Sequence, residues 1–357
     1  MTVERLETSS FTIPTDETES DGTLEWTSTT IVVVEAVGGG RRGLGWTYAP
    51  DATATVIDSM LAPRVEGRGL DDLAGLWLEL GAAIRNAGRP GVAYCALSAV
   101  DLALWDLRAR LLDVPLASLL PAVRDRVPVY GSGGFCSYSD RRLAEQLGGW
   151  IAEGIPRVKM KLGREPEHDP HRLDVARDAV GDGAELFVDA NGAFGAKEAI
   201  RWARRYVEEW DVSWFEEPVP SEDPDGLRRV HDHSSLDVAA GEYGYVLADF
   251  RALVDCVDCL QADVTRCGGI TGLLRVNGLA SAHGLDLSGH CAPQLSAHAL
   301  CGVDRLRHLE YFHDHVRIES MLFDGVLAPV DGALVPDRSR PGNGLELKRA
   351  DAQRWAA

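Results

Sequence analysis

Residues 186–218 read LFVDANGAFGAKEAIRWARRYVEEWDVSWFEEP, and this stretch decides the fold. Two short apolar runs, Leu186-Phe187-Val188 and Val212-Ser213-Trp214-Phe215, each stop abruptly in acidic residues. Between them Ala199, Ile200, Ala203, Tyr206, Val207 and Trp210 recur at helical spacing, so an amphipathic helix joins two strands. A strand–helix–strand unit of this length requires parallel strands. Asp189 with Asn191, and Glu216 with Glu217, then stand where neighbouring strands end. Carboxylates so placed can converge on one hard cation.

The same alternation extends in both directions. VPVYGSG (127–133), RVKMKLG (157–163), DVAAGE (237–242), CLQADVTR (259–266), LDLSGHC (285–291) and RHLEYF (307–312) complete a set of eight strand candidates. Eight parallel strands alternating with helices close into a barrel whose active site lies at the strands' C-terminal ends. Before this repeat the chain is of another kind. Leu6–Ile13 and Trp26–Val37 read as strands, with Pro14–Thr23 (PTDETESDGT) between them as a polar loop. Residues 51–120 turn helical, and Ser98–Leu112 forms a helix apolar on more than one side until Val114-Pro115-Leu116 breaks it. The expected division is an α+β segment at 1–125, the barrel at 126–320, and a C-terminal segment at 321–357 that returns to the first domain. In that last segment Leu345–Leu347 reads as a strand.

The chain has 357 residues and a formal net charge of −19, which argues against nucleic acid and anionic membranes as partners. Its 7 cysteines are scattered and odd in number, so no secreted disulfide framework is expected. Cys256 and Cys259 form a lone CxxC without a second pair, read as buried free thiols rather than a zinc or redox site. The N-terminus is polar and acidic and no run reaches membrane-spanning length, so the expected location is the cytoplasm.

Lys161, Asp189, Glu216, Glu242, Asp263, His290 and Glu310 fall at strand ends, at intervals of 28, 27, 26, 21, 27 and 20 residues. Each interval is close to one strand–helix unit, so one rim receives one reactive group from each of seven strands. Any of these acids alone reads as a surface charge, but Asp189, Glu216 and Glu242 on adjacent strands supply oxygen ligands for Mg²⁺. Asn191 and Glu217 read as their hydrogen-bonding supports. Lys159 and Lys161 share one strand face, while Val158, Met160 and Leu162 take the other and pack under helices. The second ammonium and a nearby cation would lower the pKa of Lys161 and make it a general base. Asp263 can orient His290, which strand counting puts directly across the mouth from Lys161. Glu310, if its pKa is raised, could donate to a developing oxyanion. His313, Asp314 and His315 read as structural, and Gly268-Gly269 as a tight entry to a helix.

The segments SAVDLALWDLRARLLDVP (98–115), KMK (159–161), VDAN (188–191), WFEEP (214–218), AGE (240–242), DVTRCGGITG (263–272), SGH (288–290) and LEYF (309–312) together resemble the mandelate racemase branch of the enolase superfamily, over nearly the whole chain. The resemblance implies a modified TIM barrel, (β/α)7β, whose first strand pairs differently, under an α+β capping domain built from both chain termini. It implies Mg²⁺ on Asp189, Glu216 and Glu242, an acid/base pair of Lys161 and the His290–Asp263 dyad, and Lys159 and Glu310 assisting. A Lys or His base beside Mg²⁺ is a known pattern of this superfamily and comes with the resemblance, not from the spacing. The resemblance also gives the 14–23 loop a role closing over substrate. Because that loop is polar here, the expected substrate is a small hydroxyl-rich carboxylate, an acid sugar bearing a 2-hydroxyl. The expected reaction is its dehydration to a 2-keto-3-deoxy acid after α-proton abstraction through an enediolate, with racemisation or epimerisation as the alternative. A metal-dependent hydrolase would want histidine ligands or a lysine bridging two metals, which the strand ends do not offer. A non-catalytic binding protein fits less well, since no catalytic position is degraded. Family habit adds a symmetric homo-oligomer.

Overall fold

In the computed structural model, which describes residues 1–357, the chain opens with an antiparallel sheet of β1 (Arg5–Ser20), β2 (Glu25–Gly38) and β3 (Arg41–Tyr48). The stretch expected as a polar loop, Pro14–Thr23, is therefore mostly strand. β1 pairs with β2 up to Pro14–Ser28 and resumes at Glu19–Trp26, so Thr15–Thr18 bulge out opposite Thr27. The barrel supplies the hydrogen bonds that keep this acidic segment extended: Cys136 N donates to Ser20 O (2.7 Å) and Ser137 Oγ to Thr18 O (2.7 Å). Such long-range pairing overrides local composition.

The strand β3, RRGLGWTY, carries two glycines, Gly43 and Gly45, a residue that weakens a strand unless another backbone must come close. They are there for close approach. The helix Tyr94–Leu111, one turn longer at its start than expected, lies directly on β3. A Cβ on Gly45 would stand 2.4 Å from the Ala99 carbonyl oxygen, which no side chain tolerates. Gly45→Ala is expected to lower stability by about 1–3 kcal/mol, as overpacking does. An unchanged thermal midpoint would contradict this account of the contact.

From Val127 onward the alternation closes as a barrel of β4 (Val127–Gly133), β5 (Arg157–Lys161), β6 (Glu185–Asp189), β7 (Val212–Glu216), β8 (Asp237–Ala240), β9 (Cys259–Ala262), β10 (Asp286–Gly289) and β11 (Leu306–Phe312). Seven helices fall between these eight strands, a (β/α)7β arrangement. The first strand does not pair differently: β4 is parallel to both β5 and β11 and closes the barrel. Alternation along β5 sorts its residues as the pattern requires. Val158, Met160 and Leu162 join the apolar cluster beneath the helices, and Lys159 and Lys161 are buried in the barrel interior. Tyr130, Phe187, Trp214, Ala239 and Cys259 form a separate small apolar cluster, so the ionisable layer rests on a hydrophobic floor.

After the barrel come β12 (Phe323–Asp324), β13 (Ala333–Leu334) and β14 (Glu346–Leu347); β14 pairs with β12, and β13 runs antiparallel to β4. This tail is tied to the first domain. The buried Asp106 carboxylate accepts from Leu44 N (2.7 Å) and Asn343 N (2.6 Å), while Leu116 N donates to Gly342 O (2.7 Å). The first domain also grips the segment after β9. Asp101 accepts from Thr271 N (2.9 Å) and Oγ1 (2.7 Å), Trp77 Nε1 donates to Gly268 O (2.7 Å), and Thr47 Oγ1 donates to Thr265 O (2.9 Å). The Gly268-Gly269 turn thus leads into a helix whose N-terminus is already satisfied by Asp101. No helix is long and apolar enough to cross a membrane.

Candidate active site

Each barrel strand delivers a polar side chain to one rim, because the apolar run ends there and the chain turns into a loop. The turns are strained. Of the seven non-glycine residues with positive φ, Asn191 (44°), Glu217 (40°), Cys291 (50°) and Ala292 (42°) stand directly beyond β6, β7 and β10. Backbone strain concentrated in this way marks functional positions. Gly241, at φ 134°, allows the turn before Glu242: a Cβ there would strike the Gln261 carbonyl oxygen at 2.2 Å.

Asp189, Glu216 and Glu242 are buried, and one oxygen of each lies within 4.8 Å of the others. Glu242 Oε2 is buried without a hydrogen-bond partner, an orphaned anionic oxygen in the interior. Glu217 adds like charge beside it, but burial is outweighed first by His290 and then by Lys161 and Arg266, which hold the Glu242 carboxyl well below the usual range. Burial and then the neighbouring carboxylates push Glu216 up to about 8, against the pull of Lys159. Buried acids that crowd one another around an unsatisfied oxygen fit a divalent cation with oxygen ligands. Asn191 and Glu217 hold this group from behind. Asn191 N donates to Asp189 Oδ1 (2.9 Å), and Glu217 accepts from Gly241 N (3.3 Å).

The two lysines differ in surroundings. Lys159 is fully buried against Glu216, with Glu310 Oε1 at 2.8 Å and Asp189 Oδ2 at 3.4 Å. Burial disfavours its ammonium, but these carboxylates outweigh burial and hold its pKa well above the usual lysine value. Lys161 Nζ is 2.5 Å from Asp189 Oδ2. Here too burial is opposed, first by Asp189, and the pKa is raised. Asp189 is closer to Lys161 than any repelling charge and sets this direction. The condition set for Glu310 as a donor, a raised pKa, is not met. Burial would raise it, but Lys159, His290 and Lys161 hold it well below the carboxylate range, so it is ionised and accepts rather than donates. Ser132 Oγ donates to its Oε1 at 2.6 Å.

Across the rim, His290 Nδ1 meets Asp263 Oδ2 at 2.8 Å, and Asp263 Oδ1 accepts from Thr265 N and Oγ1, both at 2.7 Å. The imidazole is thereby fixed with Nε2 toward the interior, 3.1 Å from Glu242 Oε2. Burial opposes its charge, yet Cys291 and the Glu242 and Glu310 carboxylates raise its pKa well above 6.5. Lys161 and His290 are not on directly opposed strands. They stand three strands apart through β4 and β11; on the other side β6, β7 and β8, which carry the three acids, and β9, which leads into Asp263, lie between them. Lys161 borders Asp189, and His290 borders Glu242.

A cleft of about 520 Å³ opens over this rim, lined by Lys161, Asn191, Glu242 and His290 below and by Asp21, Trp26, Thr29 and Tyr48 of the first domain above. The hairpin therefore does face the site, but through its tip, where Leu24 and Trp26 are apolar. Arg266, Tyr243, Cys291 and His315 also line the cleft, and sequence reasoning had given none of them a part in the site. Arg266 follows directly on Asp263-Val264-Thr265 and Cys291 directly on His290, so strand-end position was the available signal. Nothing local marks Trp26 or Tyr48, which reach the site only through domain docking. His315 stacks on Tyr48 at 3.4 Å and accepts from Ala292 N, and Asp314 accepts from Thr29 Oγ1 (2.5 Å); the His313–His315 run joins cap to barrel. Cys256 and Cys259 are buried and free. A larger cleft of about 600 Å³, between Trp77–Tyr94 and Tyr245–Val276, contains none of the strand-end acids or bases.

Glu19 anchors the hairpin. It is buried, its Oε2 accepting from Trp26 Nε1 (2.9 Å) and its Oε1 unpartnered, and burial, then Asp314, pushes its carboxyl up to about 8. A folded pKa above the unfolded one gives stability that is complete below the unfolded value of 4.5 and lost as pH rises through about 8. Glu19→Gln is therefore expected to melt above the parent at alkaline pH and level with it at acid pH. Equal shifts at both pH values, measured by thermal unfolding, would contradict this.

Comparison with known proteins agrees with this architecture. The family described as mandelate racemase / muconate lactonizing enzyme, N-terminal domain, matches residues 17–121, and enolase C-terminal domain-like matches residues 142–352. The chain is 32% identical to a 3,6-anhydro-alpha-L-galactonate cycloisomerase of Streptomyces coelicolor, over 97% of each chain. The structure of a mandelate racemase/muconate lactonizing enzyme-like protein from Rubrobacter xylanophilus superposes with a TM-score of 0.99 at 58% identity, covering 100% of both chains. An L-talarate dehydratase from Polaromonas sp. JS666, complexed with Mg and L-glucarate, superposes at 0.90 with 30% identity, covering 100% of this chain and 97% of that one. The chain belongs to the mandelate racemase/muconate lactonizing enzyme family of the enolase superfamily.

Proposed function

We propose that this protein is a Mg²⁺-dependent enzyme that abstracts the α-proton of an acid sugar and dehydrates it to a 2-keto-3-deoxy acid. The observation that carries the reading is the placement of Lys161 and the His290–Asp263 dyad at the two ends of the arc formed by Asp189, Glu216 and Glu242. The dehydratase and cycloisomerase among its relatives support it.

Asp189, Glu216 and Glu242 would hold the Mg²⁺. When bound, the ion supplies Lewis acidity to the substrate carboxylate and neutralises the acid charge that otherwise keeps Lys161 protonated. One of Lys161 and His290 takes the proton from C2, leaving the C–H electron pair in an enediolate. The other gives a proton to the C3 hydroxyl, the C3–O bond breaks, and water leaves. The enol then takes a proton at C3 to become the keto acid. Lys159, held charged among Glu216, Glu310 and Asp189, offers a fixed positive charge to the developing enediolate. Asp263 acts by keeping His290 oriented. Thr29, Asp21 and Trp26 close the far end of the cleft, where hydroxyls and carbon faces of a short sugar chain would lie.

Incubation with a panel of six-carbon and five-carbon acid sugars tests the reading, with 2-keto-3-deoxy acid formation as the expected result. The cycloisomerase relative supports a second reading, in which the C3 leaving oxygen belongs to a ring ether and stays in the product. That reaction yields an isomer and no water. Exchange at C2 without elimination would instead mark a racemase or epimerase. Hydrolysis of an ester or amide without α-proton exchange would reject all three. The division into a cap of residues 1–125 with 321–357, over a barrel of 126–320, belongs to the same proposal. So do a cytoplasmic location and, by analogy with the family, a symmetric homo-oligomer.

A further inference from the structure

The residue after His290 is a cysteine in a left-handed turn, with φ of 50° at Cys291. The turn folds its thiol back toward the imidazole it follows. Cys291 Sγ is 3.4 Å from His290 Nε2 and 3.2 Å from Glu310 Oε2, and His290 Nε2 is 3.4 Å from Glu310 Oε2. The three atoms make a nearly equilateral triangle, and all three residues are buried. An ion bound by nitrogen and oxygen at about 2.0–2.2 Å and sulfur at about 2.3 Å, in tetrahedral geometry, needs ligand atoms separated by roughly 3.3–3.6 Å. The triangle is one face of such a tetrahedron.

Each ligand is also braced as a metal ligand should be. His290 has its other nitrogen on Asp263 (2.8 Å), the carboxylate–histidine arrangement that fixes the free nitrogen toward a metal. Glu310 has its other oxygen on Ser132 Oγ (2.6 Å) and Lys159 Nζ (2.8 Å), while Oε2 is aimed at the triangle by the Cys291 N–H it accepts from (3.2 Å) and keeps a second lone pair for a metal. Nitrogen, sulfur and oxygen together do not suit Mg²⁺, which prefers oxygen in octahedral geometry, but they suit Zn²⁺.

We propose that His290, Cys291 and Glu310 form a second metal site, selective for Zn²⁺ or a similar thiophilic divalent ion, adjoining the three-acid site at Glu242. The site binds thiolate and neutral imidazole, so the protons these groups carry pass to solvent on binding. Occupancy removes His290 from proton transfer. Zn²⁺ is then an inhibitor set against the Mg²⁺ that supports turnover. The inhibition rests on the proposed reaction; the coordination does not.

The test is a titration of the full chain with Co²⁺ in excess Mg²⁺, followed by thiolate-to-cobalt charge-transfer absorption. One thiolate-bound Co²⁺ per chain is expected in the parent and in Asp189→Asn, and none in Cys291→Ser. No such absorption in the parent, its loss in Asp189→Asn, or its persistence in Cys291→Ser would overturn the site. Zinc-edge X-ray absorption on the unaltered protein gives a measurement independent of folding in the variants. One sulfur at about 2.3 Å among nitrogen and oxygen neighbours is expected, and an all-oxygen shell would overturn it. Turnover should fall with added Zn²⁺, and Cys291→Ser should need roughly a hundredfold more. A parent that binds Co²⁺ through sulfur yet turns over no acid sugar would reject the proposed reaction and leave the metal site standing.

Discussion

Lys161→Met and His290→Asn are each expected to reduce the rate of acid-sugar dehydration by about 10²–10⁴-fold, the usual worth of a positioned acid or base. The two losses should differ in kind. Because the residues flank the acid arc from opposite ends, each faces one side of C2, and a pair of C2 epimers separates them. With Lys161→Met, α-proton exchange into D₂O should vanish for one epimer and survive for the other; with His290→Asn the pattern should invert. Asp263→Asn should follow His290→Asn in its choice of epimer, since it acts through the imidazole by the 2.8 Å contact. Loss of exchange with both epimers in a single variant, in a protein that still folds, would refute two-sided acid/base chemistry.

Removal of the metal is expected to abolish turnover and to lower stability. An ion that binds only the folded chain stabilises it by RT ln(1 + [L]/Kd), about 2.7 kcal/mol at a hundredfold excess over Kd. The thermal midpoint should therefore climb with added Mg²⁺. Asp189→Asn or Glu242→Gln should erase that climb together with activity, because each removes one of three charged ligands. The raised Glu216 carboxyl is the physical source of the effect: buried in a dry interior, it is repelled by Asp189, Glu310 and Glu242. A Mg²⁺-dependent midpoint that survives in both variants would place the ion elsewhere.

The parts of the site legible in the sequence were those set by chain periodicity. Asp189, Glu216 and Glu242 could be read because an apolar run ends at each of them, one strand–helix unit apart. Lys159 and Lys161 could be read because strand alternation leaves them only the interior. Properties set by proximity could not be read. The ionised state of Glu310 depends on Lys159 at 2.8 Å, and the raised pKa of Lys161 on Asp189 at 2.5 Å; spacing along the chain encodes neither distance. The 14–23 segment looked like a loop since its composition is acidic, but its partners, Cys136 and Ser137, lie more than a hundred residues away. Gly43 and Gly45 of β3 are likewise explained only by a distant partner, the helix Tyr94–Leu111 that docks on them.

Diffraction from crystals soaked with Mn²⁺ in place of Mg²⁺, together with an acid-sugar analogue that cannot eliminate, bears most directly on the proposed chemistry. One anomalous peak is expected in contact with Asp189, Glu216 and Glu242, with Lys161 Nζ and His290 Nε2 approaching the analogue's C2 from opposite faces. A peak away from those three carboxylates, or both bases on one face of C2, would contradict the account.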